Sequence, residues 1–198
     1  MDCELPAVFL IRHGETAWSL TGRHTGSSDI PLTERGESDA RALAPRLRGM
    51  PFALVLSSPL RRAARTCELA GFAAAASLDG DLREWDYGAY EGRRTSEIRA
   101  ERPDWELFTH GCPGGESAAE VAARADRVIA RTRAAAGNTL LFSSGHLLRV
   151  LAARWLGLEP AAGRLLLLGT ASVSVLGYEH DRREPVIRLW NDSRPVSG

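Results

Sequence analysis

The chain has 198 residues, of which 44% are hydrophobic and 25% charged, so there is enough apolar material for one sizeable core. Basic and acidic residues balance at 25 each, which excludes a bulk electrostatic role on nucleic acid or anionic lipid; any anion site must be a local cluster. Every basic residue is arginine, which rules out a Schiff-base lysine and a Walker-type phosphate lysine but leaves phosphate chemistry open to the guanidinium fork.

The run Ala7-Val8-Phe9-Leu10-Ile11 predicts a strand buried on both faces, and it stops at once at Arg12-His13-Gly14. Thr33 caps a helix carrying Ala40, Leu43, Ala44 and Leu47 at helical spacing, ended by Gly49 and Pro51. Phe52 to Leu56 is a second strand, ending at Ser57-Ser58, and Pro59 opens a helix that runs through Ala70. A short strand near Ser77 to Asp79 is followed by a long, partly helical excursion from Leu82 to Gly115, with a weak helix over 95–102. Ser117 and Glu120 form a capping box that opens a helix to about Ala136. Thr139 to Phe142 is a third buried strand, ending at Ser143-Ser144-Gly145-His146, with a helix from Leu147 to Leu156. Two more strands, 173–176 and 185–190, enclose a hairpin turn at Asp181 to Glu184. The alternation predicts one α/β domain over 1–198: a three-layer sandwich with a mainly parallel central sheet, helices on both faces and an antiparallel terminal pair.

In a parallel sheet the C-terminal strand ends share one edge. Arg12 and His13, Ser57-Ser58 with Arg62 one turn on, and Gly145-His146 therefore converge although they are far apart in sequence. Two arginines offer charge-assisted hydrogen bonds to a phosphate, a neutral imidazole is a competent nucleophile toward phosphorus, and a second imidazole completes the cage. The excursion supplies carboxylates for the leaving alcohol, Glu84 and Asp86 first.

Six blocks in order make the chain resemble the histidine phosphatase superfamily, also called phosphoglycerate mutase-like. They are Arg12-His13-Gly14-Glu15-Thr16; Pro31-Leu32-Thr33-Glu34-Arg35-Gly36; Ser57-Ser58-Pro59-Leu60-Arg61-Arg62-Ala63; Glu84 with Tyr87-Gly88 and Tyr90-Glu91-Gly92; Pro113-Gly114-Gly115-Glu116-Ser117; and Gly145-His146. Trp18-Ser19, Gly22-Arg23-His24-Thr25-Gly26 and Glu84-Trp85-Asp86-Tyr87-Gly88 resemble one subgroup, of bacterial acid phosphatases and the fungal sedoheptulose-1,7-bisphosphatase. The resemblance implies that His13 accepts the phosphoryl group, that Arg12, Arg62 and His146 bind it, and that Glu84 is general acid and then base, a role that needs a raised pKa. It also implies substrate contacts from Ser19, Thr25, Gly26 and Tyr87. Many members have Asn where Ser19 stands, so one donor replaces two.

The expected activity is that of an acid phosphatase-like phosphomonoesterase acting on small phosphorylated metabolites, sugar phosphates or bisphosphates among them, without cofactor or metal. A cofactor-dependent phosphoglycerate mutase is the first rival. Mutases carry a longer insertion between the fourth and fifth blocks, where this chain has only Arg93 to Cys112 and no lysine. A non-catalytic binding protein on the same fold is the second rival, disfavoured because His13, Arg12, Arg62, Glu84 and His146 are all retained. Among the other histidines, His24, His110 and His180 read as surface or structural, with His24 worth watching because it follows the signature. Arg61, Arg65 and the Arg93-Arg94 pair read as solvated, and Trp85, Tyr87 and Tyr90 as pocket wall or ordinary packing. The three cysteines, Cys3, Cys67 and Cys112, fit neither a zinc ribbon nor a disulfide framework and point to a reduced, cytoplasmic protein. No signal-peptide pattern and no apolar stretch long enough to span a bilayer is evident. The partner is a small phosphate ester rather than nucleic acid or membrane; monomer and homodimer stay open.

Overall fold

Apolar runs bounded by glycine and charge become the strands of one mixed sheet in the computed structural model, which describes residues 5–193; Cys3 lies outside that range. The strands are β1 (Val8–Arg12), β2 (Leu54–Ser57), β3 (Ser77–Leu78), β4 (Thr139–Ser143), β5 (Val173–Tyr178) and β6 (Pro185–Asp192). Their order is β3-β2-β4-β1-β5-β6. The pairs β3/β2, β2/β4 and β4/β1 are parallel, and β5 and β6 close the sheet with antiparallel pairings. The helices are α1 (Ala17–Leu20), α2 (Glu34–Arg41), α3 (Ala44–Leu47), α4 (Arg61–Leu69), α5 (Thr95–Glu101), α6 (Leu107–His110), α7 (Ala118–Ala134) and α8 (Gly145–Trp155).

Side chains alternate across a strand, so each strand serves two layers. Val8, Leu10, Leu56, Leu141 and Leu176 face α7, α8 and the excursion. Ile11, Val55, Leu140, Phe142 and Val173 face the opposite layer, where Leu47 of α3 and Cys67 of α4 pack on them. Every residue of the central strand β4 is buried, which is why its sequence is a continuous apolar run and not an alternating one.

Four boundaries differ from expectation. The helix read as continuous from Thr33 breaks between α2 and α3, because Pro45 lacks an N–H and its ring would clash with the carbonyl of Arg41. Pro59 stands outside α4, which Leu60 caps. Helix α8 begins at Gly145, which puts His146 in its first turn and not on the strand end. The excursion gains α6 beside the expected α5, with two 3-10 turns, 80–82 and 88–90. The capping box at Ser117 and Glu120 forms as read.

Two glycine pairs bind the sequence blocks together. A Cβ on Gly14 would lie 2.3 Å from the Gly36 carbonyl oxygen, and one on Gly36 would lie 2.1 Å from that of Glu15. Only glycine at both positions lets the turn after β1 sit on the first turn of α2. Gly88, at φ +48°, and Gly115 make a second such contact, seating the turn before α7 against the 86–88 backbone.

Candidate active site

Register places the chemistry. Arg12 at the end of β1 sits opposite Ser143 at the end of β4, and Ser57 of β2 sits opposite Phe142. The chain then leaves the sheet in step: the His13 N–H donates to the Ser143 carbonyl at 2.9 Å, and that of Ser58 to the Phe142 carbonyl at 2.9 Å. Above this edge lies a cavity of about 90 Å³, lined by Arg12, His13, Ser19, His24, Thr25, Glu84, Tyr87, Gly145, His146, Arg149 and Leu168. That volume is room for ~3 water molecules, the scale of one phosphoryl group.

His13 is buried, and its Nδ1 lies 2.7 Å from the carbonyl oxygen of Gly14, which accepts the Nδ1 proton. The lone pair is then on Nε2. Burial first, then the Arg12 and Arg62 charges, holds its pKa well below the usual imidazole range, so the ring is neutral. Arg12 donates to the Leu168 carbonyl. Arg62, fully buried, donates to the carbonyls of Ser28, Thr25 and Gly26, each at 2.9 Å. Neither pairs with a carboxylate among the described residues. Five buried side-chain polar atoms there lack a hydrogen-bond partner, and three belong to this region: the Nε of Arg12, the Nε of Arg62 and the Oγ of Ser144. Orphaned guanidinium N–H groups are costly unless an anion satisfies them.

Glu84 reaches in from the excursion and caps α8. Its Oε1 accepts from the N–H of Trp85 and of Leu147, and its Oε2 from that of His146, all at 2.9 Å. This side chain does for the helix start what Ser144, the N-terminal residue, does not. Asp86, the alternative carboxylate, instead accepts from the Gly88 N–H and faces a separate groove of about 580 Å³. Glu84 lines both spaces.

His146 is half-buried, and burial, with Arg149, His24 and Arg12 nearby, pushes its pKa well below the usual range. The Tyr87 hydroxyl, whose pKa burial raises well above normal, shares a hydrogen bond of 2.6 Å with its Nδ1. The second imidazole is therefore neutral.

The other expected contacts divide. The Ser19 hydroxyl lines the cavity, but its proton goes to the Thr16 carbonyl in the cap of α1, at 3.0 Å. Thr25 lines it as well. Gly26 does not: its N–H is taken by Glu91, its carbonyl holds Arg62, and it borders the larger groove. Arg62 also stands behind the cavity wall. Of the three aromatic candidates only Tyr87 lines the cavity; Trp85 and Tyr90 are buried packing.

Three wall residues, His24, Arg149 and Leu168, were not among the expected contacts. His24 is 8% exposed, not on the surface, with its ring 4.7 Å from that of Tyr87 and 5.9 Å from that of His146. Burial lowers its pKa, against the pull of Glu84. Arg149 follows His146 by three residues on α8, a spacing that puts both on one helix face, and that spacing was the legible signal. Leu168 carries no chemical signature in the sequence.

An α/β sheet edge carrying a neutral histidine among guanidinium groups, with a carboxylate at hand, has the arrangement of a phosphoryl-transfer enzyme that uses imidazole as nucleophile. The model of the histidine phosphatase superfamily (branch 1) matches residues 8–193. The chain is 41% identical to an acid phosphatase of Mycobacterium tuberculosis over 96% of each chain. It is 34% identical to a probable phosphoglycerate mutase of Salmonella choleraesuis, covering 88% of this chain and 86% of that one. A solved mycobacterial glucosyl-3-phosphoglycerate phosphatase superposes with a TM-score of 0.83 at 29% identity, over 95% of this chain and 99% of that one. The chain belongs to the histidine phosphatase superfamily and is a phosphoric monoester hydrolase.

Proposed function

We propose that the protein hydrolyses small phosphorylated metabolites, sugar phosphates among them, through a phosphohistidine on His13. The observation that carries this reading is the neutral His13 ring, with Nδ1 tied to Gly14 and two guanidinium groups beside it that have no carboxylate of their own. Nε2 attacks phosphorus, the ester P–O bond breaks, and the departing alkoxide takes a proton from Glu84. Water then gives a proton to Glu84 as its oxygen attacks phosphorus; the P–N bond breaks, releasing phosphate and returning the lone pair to His13 Nε2. Oε2 of Glu84 accepts one N–H against two on Oε1, so it is the oxygen with capacity for that proton. Arg12 and His146 stabilise the transferring charge from the cavity wall, and Arg62 adds its charge from behind it. Ser19, Thr25 and Tyr87 shape the substrate end, and the Gly26 turn holds Arg62 in place behind them. No metal or organic cofactor takes part. Free, buried Cys67 and Cys112, their thiols pushed up to about 12 by burial, support a reducing, cytoplasmic setting for a single domain. Among the described residues no helix is long and apolar enough to cross a membrane.

Rapid-quench labelling tests the intermediate. A labelled substrate should leave an acid-labile, base-stable adduct that His13→Ala abolishes; an adduct that persists in His13→Ala would overturn the assignment.

A further inference from the structure

Arg12 and Arg62 flank His13, but a third guanidinium faces the same cavity from another direction. Arg149 projects from α8 one turn beyond His146. Its Nε donates to the Gly163 carbonyl at 3.0 Å and one Nη to that of Arg164 at 3.0 Å, and the guanidinium carbon lies 4.6 Å from the centre of the Phe108 ring. The segment supplying those carbonyls is pressed against α6 and α8: a Cβ on Gly163 would come within 2.9 Å of the Phe108 ring and 3.1 Å of the Arg149 carbonyl oxygen. The side chain is thus fixed in direction by two neutral acceptors and an aromatic face. None of these neutralises it, and no carboxylate among the described residues forms an ion pair with it. Of the five N–H donors on a guanidinium, two are engaged, so the second Nη keeps its donors for a ligand. Burial lowers its pKa, the usual sign of a cation kept from water without a partner.

A phosphoryl group held against His13 by Arg12 fills most of a cavity of about 90 Å³. The rest of the substrate then lies against the remaining wall, where Arg149 is the cation without a carboxylate partner. We infer that Arg149 is a specificity residue that binds a second anionic group of the substrate, a carboxylate or a second phosphate carried on the alcohol portion. This rests on the phosphatase reading above and adds to it the class of alcohol that leaves. A planar fork with open donors suits either oxyanion and offers nothing comparable to a neutral alcohol. The core helix thereby supplies a cation in a chain whose 93–112 connection is short and which has no lysine.

The test measures kcat/KM for a sugar bisphosphate, a phosphorylated carboxylic acid, a matched neutral sugar monophosphate and an aryl phosphate, in wild type, Arg149→Gln and Arg149→Lys. In wild type the dianionic-tail and carboxylate-tail substrates should outrun the neutral one, and the two arms show which oxyanion is preferred. Arg149→Gln should collapse that preference by about 10- to 100-fold, mainly through KM, the size of a charge-assisted hydrogen bond. Arg149→Lys should restore part of it. A strut that only supports the 160–165 segment would lower all substrates in proportion, and an unchanged ratio would overturn the inference. If wild type hydrolyses the aryl phosphate but shows no anionic preference, this inference falls alone; if it hydrolyses no ester at all, the phosphatase reading falls with it.

Discussion

An imidazole attacks phosphorus only through a free lone pair, so the protonation of single side chains governs this site. His13, His24 and His146 all have pKa values lowered by burial, those of His13 and His146 well below 6.5. In the unfolded chain they titrate near 6.5, so below that pH the unfolded state binds more protons than the folded one and stability falls with acid. The loss begins near pH 6.5 and grows until the folded-state values are reached, by up to ~1.4 kcal/mol per pH unit for each histidine. Urea melts of wild type and His146→Asn from above to about one pH unit below the free imidazole value check this: the variant should show the shallower decline. Glu84 gives a second residue-scale prediction. In Glu84→Gln an NH2 must face a backbone N–H that now meets an acceptor. The variant should lose about 1–3 kcal/mol in chemical denaturation. Its hydrolysis of alkyl phosphates should slow more than that of aryl phosphates, whose oxygen leaves with less help from a proton. Equal slowing of both classes would remove Glu84 from the acid role.

At the scale of elements, the site depends on how closely loops approach one another. Gly14 and Gly36 let the turn after β1 lie on α2, and that contact fixes the direction of His13 as it leaves the sheet. In Gly36→Ala the new methyl would meet the Glu15 carbonyl at 2.1 Å, and backbone, unlike a side-chain tip, has little room to yield. The expected cost is about 1–3 kcal/mol, seen as a lower urea midpoint at unchanged m-value, together with a fall in kcat larger than the change in KM. An alanine at Gly22, which has nothing within 4 Å although its φ is +70°, is the control: it should cost only the smaller strain of a left-handed residue, about 1 kcal/mol.

For the whole molecule the question is what becomes of the phosphohistidine. A mutase must hold the dephosphorylated intermediate and exclude water until the group returns; a phosphatase lets the alcohol leave and water attack. Here the 93–112 connection folds into α5 and α6, short helices packed over the cavity through Trp105 and Phe108. Incubation with 3-phosphoglycerate and 2,3-bisphosphoglycerate in excess EDTA should release free phosphate faster than it interconverts phosphoglycerates. Interconversion outrunning release would make the mutase reading the correct one, and loss of all turnover in EDTA would bring a metal back into the mechanism.

The sequence by itself determined the strands, the two-sided burial of the sheet and the residues of the strand-ending blocks, because apolar runs, caps and glycines act over a few positions. Arg12 and His13 were legible for that reason, whereas Glu84 was separated from Asp86 only by the resemblance, and the capping box of α7 formed where Ser117 and Glu120 stand. Tertiary structure decided the rest. Arg62 and Gly26 prop each other behind the wall, because the side chain that fills a space depends on which loop crosses it. His146 moved into the first turn of α8, because Glu84, 62 residues away, satisfies the helix start from outside. His24 and Arg149 became wall residues only once the excursion and the 160–165 segment folded over the sheet edge. The pKa values of the histidines belong to the same category: they arise from burial and from charges brought near by folding, and no local pattern of residues encodes either.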